Sequence, residues 1–343
     1  MEQIKNTYDP MQEAADMART LTILSNYQWI QQEAREAGID IIPIKGIDLL
    51  QTLYADTLDR PVRDIDLLCR NDEELTRLAK RLCVEEYRLE FPFALQPQAL
   101  AAKKKASLVS CSTTKVNVDL HTAFVTKKFF AQTIGTFNAD ALARCHDNHM
   151  DDTDRWLFLA QHAAFHMFGD YKWVEDLRRL YHRFTEEKKS DLAKKATEYG
   201  FRRVMLAAAY HIGKKSPADP HLEESKNTDF IEVKSLLNIT SAERRFLRFI
   251  AHYARPFSHK AADRFIAAYW EFTFIDRSKD RWKSWLRLMF PGYGVLTNIY
   301  RIKHPLAKVL FYPLNIVVSG VTSILFWTVY AIICRTSSRM FTD

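Results

Sequence analysis

The stretch "RPVRDIDLL", residues 60–68, sets two carboxylates two positions apart. In an extended strand such residues project from one face. Asp64 and Asp66 therefore point together, while Ile65, Leu67 and Leu68 supply apolar surface. Carboxylates held that close repel one another unless a cation or a proton lies between them, so the pair reads as part of a metal site. A third carboxylate, Asp119, sits in "VNVDLHT" with Val118 and Leu120 facing the opposite way. On a neighbouring strand it would complete an oxygen-ligand set for one or two Mg²⁺ (or Mn²⁺) ions. "PIKG" puts Lys45 and Gly46 at a strand-to-helix turn, where backbone N–H groups favour phosphate and a lysine adds a point charge suited to a polyphosphate. Carboxylates, metal and a phosphate cradle are the parts required for metal-assisted phosphoryl or nucleotidyl transfer.

Other side chains have two readings each. Arg60 and Arg63 precede the aspartate strand; either can reach a phosphate through its guanidinium fork, or pair with a carboxylate such as Asp59 or Asp48. His121 follows Asp119 by two and shares its strand face, in a proton-transfer or acceptor-orienting role or as a satisfied structural histidine. "QHAAFHMFGDYKWVED" carries His162 and His166 one helical turn apart. That spacing suits zinc, but the glutamate of HExxH is missing. Two accounts of this segment remain open. In one, His162, His166, Trp173 and Asp176 line the acceptor side of a cleft. In the other, the histidines are a hydrogen-bonded pair between helices.

The elements needed to position these groups follow from periodicity. Residues 11–37 carry Met17, Leu21, Leu24, Tyr27 and Ile30 at helical spacing, with Gly38 as a stop. "IDIIPIKG" reads as a strand and turn, "IDLLQTLY" as a helix and "DIDLLCR" as a second strand. Asn71 caps an acidic first turn in "NDEELTRLAKRLCVEE", which predicts another helix. "YRLEFPF", "SLVSCS" and "VNVDLHTAF" are further strand candidates, and the "KKK" of 103–105 reads as solvated surface. Beyond residue 126 helical patterns take over. The expected organisation is an α+β catalytic domain over 1–125, a helical domain over 126–280, and a basic aromatic neck with a hydrophobic tail over 281–343.

The tail stretch 314–334, "LNIVVSGVTSILFWTVYAIIC", has no charge over the length needed to cross a bilayer. Arg301, Lys303 and Lys308 precede it, and Arg335 and Arg339 follow. A transmembrane or membrane-contacting helix is expected, with a buried C-terminal helix as the alternative. Basic side chains in the neck fit an anionic lipid surface better than a specific nucleic acid. The net charge of +7 is compatible with either phosphates or such a surface. Five scattered cysteines with no CxxC pair suit reduced thiols, and the start lacks the apolar region of a cleaved secretory signal. The catalytic part is accordingly expected in the cytoplasm.

"IPIKGIDLLQTLYADTLDRPVRDIDLL" resembles the core signature of a bacterial nucleotidyltransferase-like family: KG, then a tyrosine, then R-P-x-x-D-x-D. "VNVDLHT" and "HAAFHMFGDYKWVEDLRRL" resemble its downstream carboxylate strand and helical segment, so that the likeness spans roughly residues 20–180. The resemblance implies an α/β unit with a mixed sheet that moves a nucleoside monophosphate from a nucleoside triphosphate to an acceptor. Asp64, Asp66 and Asp119 would hold the metal, and Lys45 and Gly46 the triphosphate. The wider superfamily has Gly-Ser at that turn, where this chain has Lys45–Gly46. A non-catalytic nucleotide- or partner-binding module on the same fold stays open, as does transfer onto protein or tRNA.

Overall fold

The computed structural model describes residues 10–56, 59–125, 133–213, 228–253, 273–276 and 280–282, with isolated positions between 286 and 328. Two compact units are present: Met1–Phe124 with Arg144–Met150, and Val125–Ala143 with Asp151–Asp343.

In the first unit the order is α1 (Pro10–Glu36), β1 (Ile41–Ile44), α2 (Gly46–Thr52), β2 (Asp64–Cys69), α3 (Asp72–Glu85), β3 (Tyr87–Leu89), α4 (Pro97–Lys103), β4 (Lys105–Ser110) and β5 (Asn117–His121). The strands form one mixed sheet in the order β1-β2-β5-β4-β3. β2 runs parallel to β5, and the other neighbours are antiparallel. One face of the sheet is apolar by simple alternation. Ile65 and Leu67 of β2, Val118 and Leu120 of β5, and Ala106 and Leu108 of β4 join the buried core. α1 contributes Ile23, Tyr27, Ile30 and Ala34 to this core, and α3 contributes Leu75, Leu78, Ala79 and Leu82, both at helical spacing. Each such aliphatic side chain is worth about 1.5–3 kcal/mol when fully buried. That anchors β2 firmly enough to carry two acidic residues on its other face.

Local signals set the element ends. α1 stops where Gly38 takes φ 62°, with Ile39 N donating to Ala34 O at 2.9 Å. Asn71 accepts from Glu74 N at 2.8 Å, and Glu74 returns the favour by accepting from Arg70 N at 3.1 Å. α4 has no counterpart in the sequence reading, which ended its strand at "EFPF" and left the following residues unassigned. Lys104 there takes φ 53°, closing α4 in the left-handed region.

The second unit holds α5 (Thr133–Ala143), α6 (Asp152–Phe165), α7 (Tyr171–His182), α8 (Glu186–Tyr199), α9 (Arg202–Ile212), α10 (Thr228–Leu237) and α11 (Ser241–Tyr253). Trp156 of α6 is fully buried and donates its indole N–H to Leu177 O at 3.1 Å, locking α6 to α7. Asp151 caps α6 by accepting from Thr153 N and Asp154 N, and Lys195 of α8 donates to the same carboxylate at 3.0 Å. Burial would raise the Asp151 carboxyl, but these hydrogen bonds and the lysine outweigh it and hold it down to about 2.

The helical pattern at 259–272, most of the neck and most of the tail at 314–334 lie outside the described residues. Among the described residues no helix is long and apolar enough to cross a membrane. Of the tail, Val317, Val321, Ile324, Leu325, Trp327 and Thr328 are described; they are helical and exposed.

Candidate active site

The parallel ladder between β2 and β5 sets Asp66 directly opposite Asp119 and Leu68 opposite His121. On the other side of β5, the antiparallel ladder sets Lys105 opposite His121 and Ser107 opposite Asp119. Residues paired in this way share a face. Asp64, Asp66, Asp119, His121 and Lys105 therefore project together from the face opposite the α1/α3 core. One ligand atom from each of Asp66, Asp119 and His121 lies within 4.8 Å of the others. Asp64 is on the same face but exposed, at the first position of β2, and does not belong to this close set.

The charges of the cluster are balanced from within. Lys45 Nζ donates to Asp66 Oδ1 at 2.6 Å, and Lys105 Nζ donates to Asp119 Oδ2 at 2.5 Å. His121 Nε2 lies 3.0 Å from the same Asp66 oxygen. Asp66 is only 2% exposed. Burial works against its charge, but the Lys45 ammonium and the His121 hydrogen bond overcome it and hold the carboxyl far below the usual range. Desolvation likewise works against the Lys45 ammonium, and Asp66, with Asp64 and Asp119 behind it, more than reverses this and pushes the amine up. His121 is buried and pushed down, toward the neutral ring, despite the carboxylates beside it. Its Nδ1 is buried and has no hydrogen-bond partner among the described residues.

The turn that carries Lys45 is strained. Its φ of 55° and ψ of −123° are those of the first central residue of a type II′ turn, which glycine adopts at no steric cost. A non-glycine residue there costs on the order of 1–3 kcal/mol. The backbone shape is one that suits glycine, while the residue is lysine. Gly46 is needed for a different reason: a Cβ on it would lie 3.1 Å from Arg60 Nη1 and 3.1 Å from Val62 Cγ1. Arg60 is buried against this turn, whereas Arg63 is exposed, its carbonyl accepting from Arg19 Nη2 at 3.5 Å. α2 has seven residues, so its N-terminus is a weak anion site and the charge at the turn comes from the side chains.

Sequence reasoning missed Lys105. The "KKK" run is solvated surface only in part: Lys103 is exposed and lies over the Phe91 ring, whereas Lys104 pairs with Asp72 at 3.1 Å and Lys105 faces Asp119. The signal was the alternation of "KASLVS", whose Ala106, Leu108 and Ser110 are buried and whose Lys105, Ser107 and Val109 face the other way. A second unforeseen contact joins His149 Nδ1 to the buried Asp48 Oδ1 at 3.3 Å, across a tight turn at Asp147 and Asn148.

The remaining expected residues belong to the second unit. His162, His166 and Trp173 form a ring cluster, with centroids 4.8 Å apart for the two histidines and 5.3 and 4.9 Å from each to the tryptophan. His166 is exposed, His162 and Trp173 are half-buried, and Asp176 is buried. No metal-ligating set of three His, Cys, Asp or Glu includes them among the described residues.

A family model described as an uncharacterised nucleotidyltransferase matches residues 5–214. Comparison with curated proteins finds no match. The matched range takes in every one of the side chains placed above.

Proposed function

The chain belongs to this nucleotidyltransferase family, and from that membership we propose that it transfers a nucleoside monophosphate from a nucleoside triphosphate to an acceptor hydroxyl, using the face built by β2 and β5. One observation carries the reading: the register that sets Asp66 opposite Asp119, with two lysines directed at the pair. The acceptor oxygen attacks the α-phosphorus, the bond to the β-phosphate oxygen breaks, and pyrophosphate leaves with the electron pair. The hydroxyl proton passes to a carboxylate of the same face. Asp66 and Asp119 would hold a divalent cation, and when bound it supplies Lewis-acid polarisation of the phosphate and neutralises developing charge. The donor set fits such an ion: two carboxylates and an imidazole, with one ligand atom from each within 4.8 Å of the others.

Lys45 and Lys105 reach the carboxylates on flexible stems and are 17% and 35% exposed, so both can extend to the β- and γ-phosphates. Arg60 backs the Gly46 turn, and Arg63 is exposed just before β2. Catalysis of this kind is positioning and electrostatics. The acceptor we propose is membrane-linked, with 314–334 as anchor and the catalytic unit on the cytoplasmic side. The uncharged run and the exposure of Val317, Val321, Ile324 and Leu325 support this. Deleting residues 309–343 then moves the protein from the membrane pellet to the supernatant; a full chain that is already in the supernatant without detergent removes the anchor.

A second reading, a non-catalytic nucleotide-binding module, is favoured by one feature. The lysines already neutralise the carboxylates, so the cluster does not require a metal for stability. Melting curves of the full chain with ATP, GTP, CTP or UTP and Mg²⁺ or Mn²⁺ separate the two. A ligand at a hundred times its dissociation constant stabilises by about 2.7 kcal/mol. A metal-dependent shift lost in Asp66→Asn/Asp119→Asn supports transfer. A shift without metal dependence supports the module, and no shift with any nucleotide refutes both.

A further inference from the structure

The resemblance assigns the metal to three carboxylates, Asp64, Asp66 and Asp119. The close set in the structure is a different one. We propose that His121, in place of Asp64, completes the ligand set with Asp66 and Asp119, and that the site therefore selects Mn²⁺ and the later first-row divalent ions over Mg²⁺. This rests on the reading that the site holds a divalent cation, and names which one.

Three observations converge. His121 is 6% exposed, and its Nε2 is 3.0 Å from Asp66 Oδ1. Ligand atoms at about 2.1 Å from an ion and at right angles to one another are about 3.0 Å apart, which is the spacing of this one pair, and the ligand atoms of all three residues lie within 4.8 Å of one another. Second, among the described residues the buried ring has a hydrogen-bond partner at Nε2 and none at Nδ1. Here the ring is committed on one side only, the side facing the carboxylates. Third, Asp64 is one strand period further from the buried end, exposed, and opposite Asn117. Its charge still acts on Lys45, so it shapes the field without joining the set.

The donor chemistry then decides the ion. Mg²⁺ prefers oxygen ligands in a near-ideal octahedron. An imidazole nitrogen raises affinity for ions further along the first row and leaves Mg²⁺ affinity little changed. Two carboxylates and one imidazole are a mixed set of that kind.

The probe is Mn²⁺ alone, without nucleotide, on the full chain, read by pulsed electron paramagnetic resonance for coupling to ¹⁴N and by titration against Mg²⁺. The expected result is ¹⁴N coupling in the wild type and in Asp64→Asn, lost in His121→Gln. Mn²⁺ affinity in His121→Gln should fall by about tenfold or more, and Mg²⁺ affinity by much less. Should His121→Gln fail to fold, as melting would reveal, Asp66→Asn/Asp119→Asn replaces it and should abolish the same coupling. Bound Mn²⁺ without ¹⁴N coupling, or coupling that survives every one of these variants, overturns the assignment and leaves the metal reading standing. Failure of Mn²⁺ to bind at all overturns both.

Discussion

Replacing Lys45 tests the site's energetics most directly. Lys45→Met keeps the apolar stem and the strained backbone but removes the charge 2.6 Å from Asp66 Oδ1. Asp66 is then a carboxylate 2% exposed, with the His121 hydrogen bond as its remaining support among the contacts described above. Removing one partner of a buried pair costs about 3–5 kcal/mol, because the other charge is left uncompensated. The low end applies here because His121 stays. Asp66→Asn should cost somewhat less, since Asp64 and Asp119 still act on Lys45. The double variant Lys45→Met/Asp66→Asn should cost about as much as one single change, giving a coupling of about 2–3 kcal/mol. Lys45→Gly and Lys45→Ala both remove the stem, and only Gly relieves the turn strain of about 1–3 kcal/mol, so Gly should be less damaging than Ala by that amount. The two units need not unfold together, so a global melting temperature is the wrong readout. Hydrogen exchange of the β2 and β5 amides is suitable, with α9 as the reference that should not change. If the double variant costs the sum of the two singles, the pair is not energetically joined. If Gly and Ala are equivalent, the turn is not strained.

Two further outcomes follow from contacts already described. Gly46→Ala should destabilise the first unit by about 1–2 kcal/mol through crowding against Arg60 and Val62; exchange rates of α2 and β2 check it, and unchanged rates would mean that Arg60 swings away freely. Asp151 is held down to about 2, so its contribution is full above the ordinary carboxylate range and is lost as pH falls from about 4 through about 2. Protection of α6 should decline over that window, Asp151→Asn should flatten the decline while keeping the cap, and Asp151→Ala should cost about 1 kcal/mol at neutral pH.

The positions of the carboxylates were legible because strand alternation is a short-range rule: Asp64, Asp66 and Asp119 had to share faces with their own strands. That β2 and β5 are parallel neighbours, in a register pairing Asp66 with Asp119, is a long-range fact that periodicity cannot supply. For that reason repulsion between Asp64 and Asp66 does not by itself require a metal. Lys45 and Lys105, distant in sequence from the residues they neutralise, supply the missing cations. Lys105 was hidden in a run of three lysines whose strand begins at its last member. His121 was read correctly as sharing the face of Asp119, but its contact with Asp66 depends on that same register. Lys45 at a strand-to-helix turn was read from pattern, and its glycine-like backbone was not, because no local rule anticipates a lysine with positive φ.

The interruption of the first unit bears on how it is made. All five strands of the sheet have been synthesised by residue 121, so the sheet can close while the chain is still growing. Residues 144–150 belong to the same unit but emerge only after α5, which belongs to the other. Asp48 of α2 thus takes as partner a histidine synthesised after all five strands and after a helix of the neighbouring unit. A chain ending just past β5 would hold every strand and carboxylate of the sheet but lack this contact, so residues 144–150 are a late-made piece of the unit that carries the site.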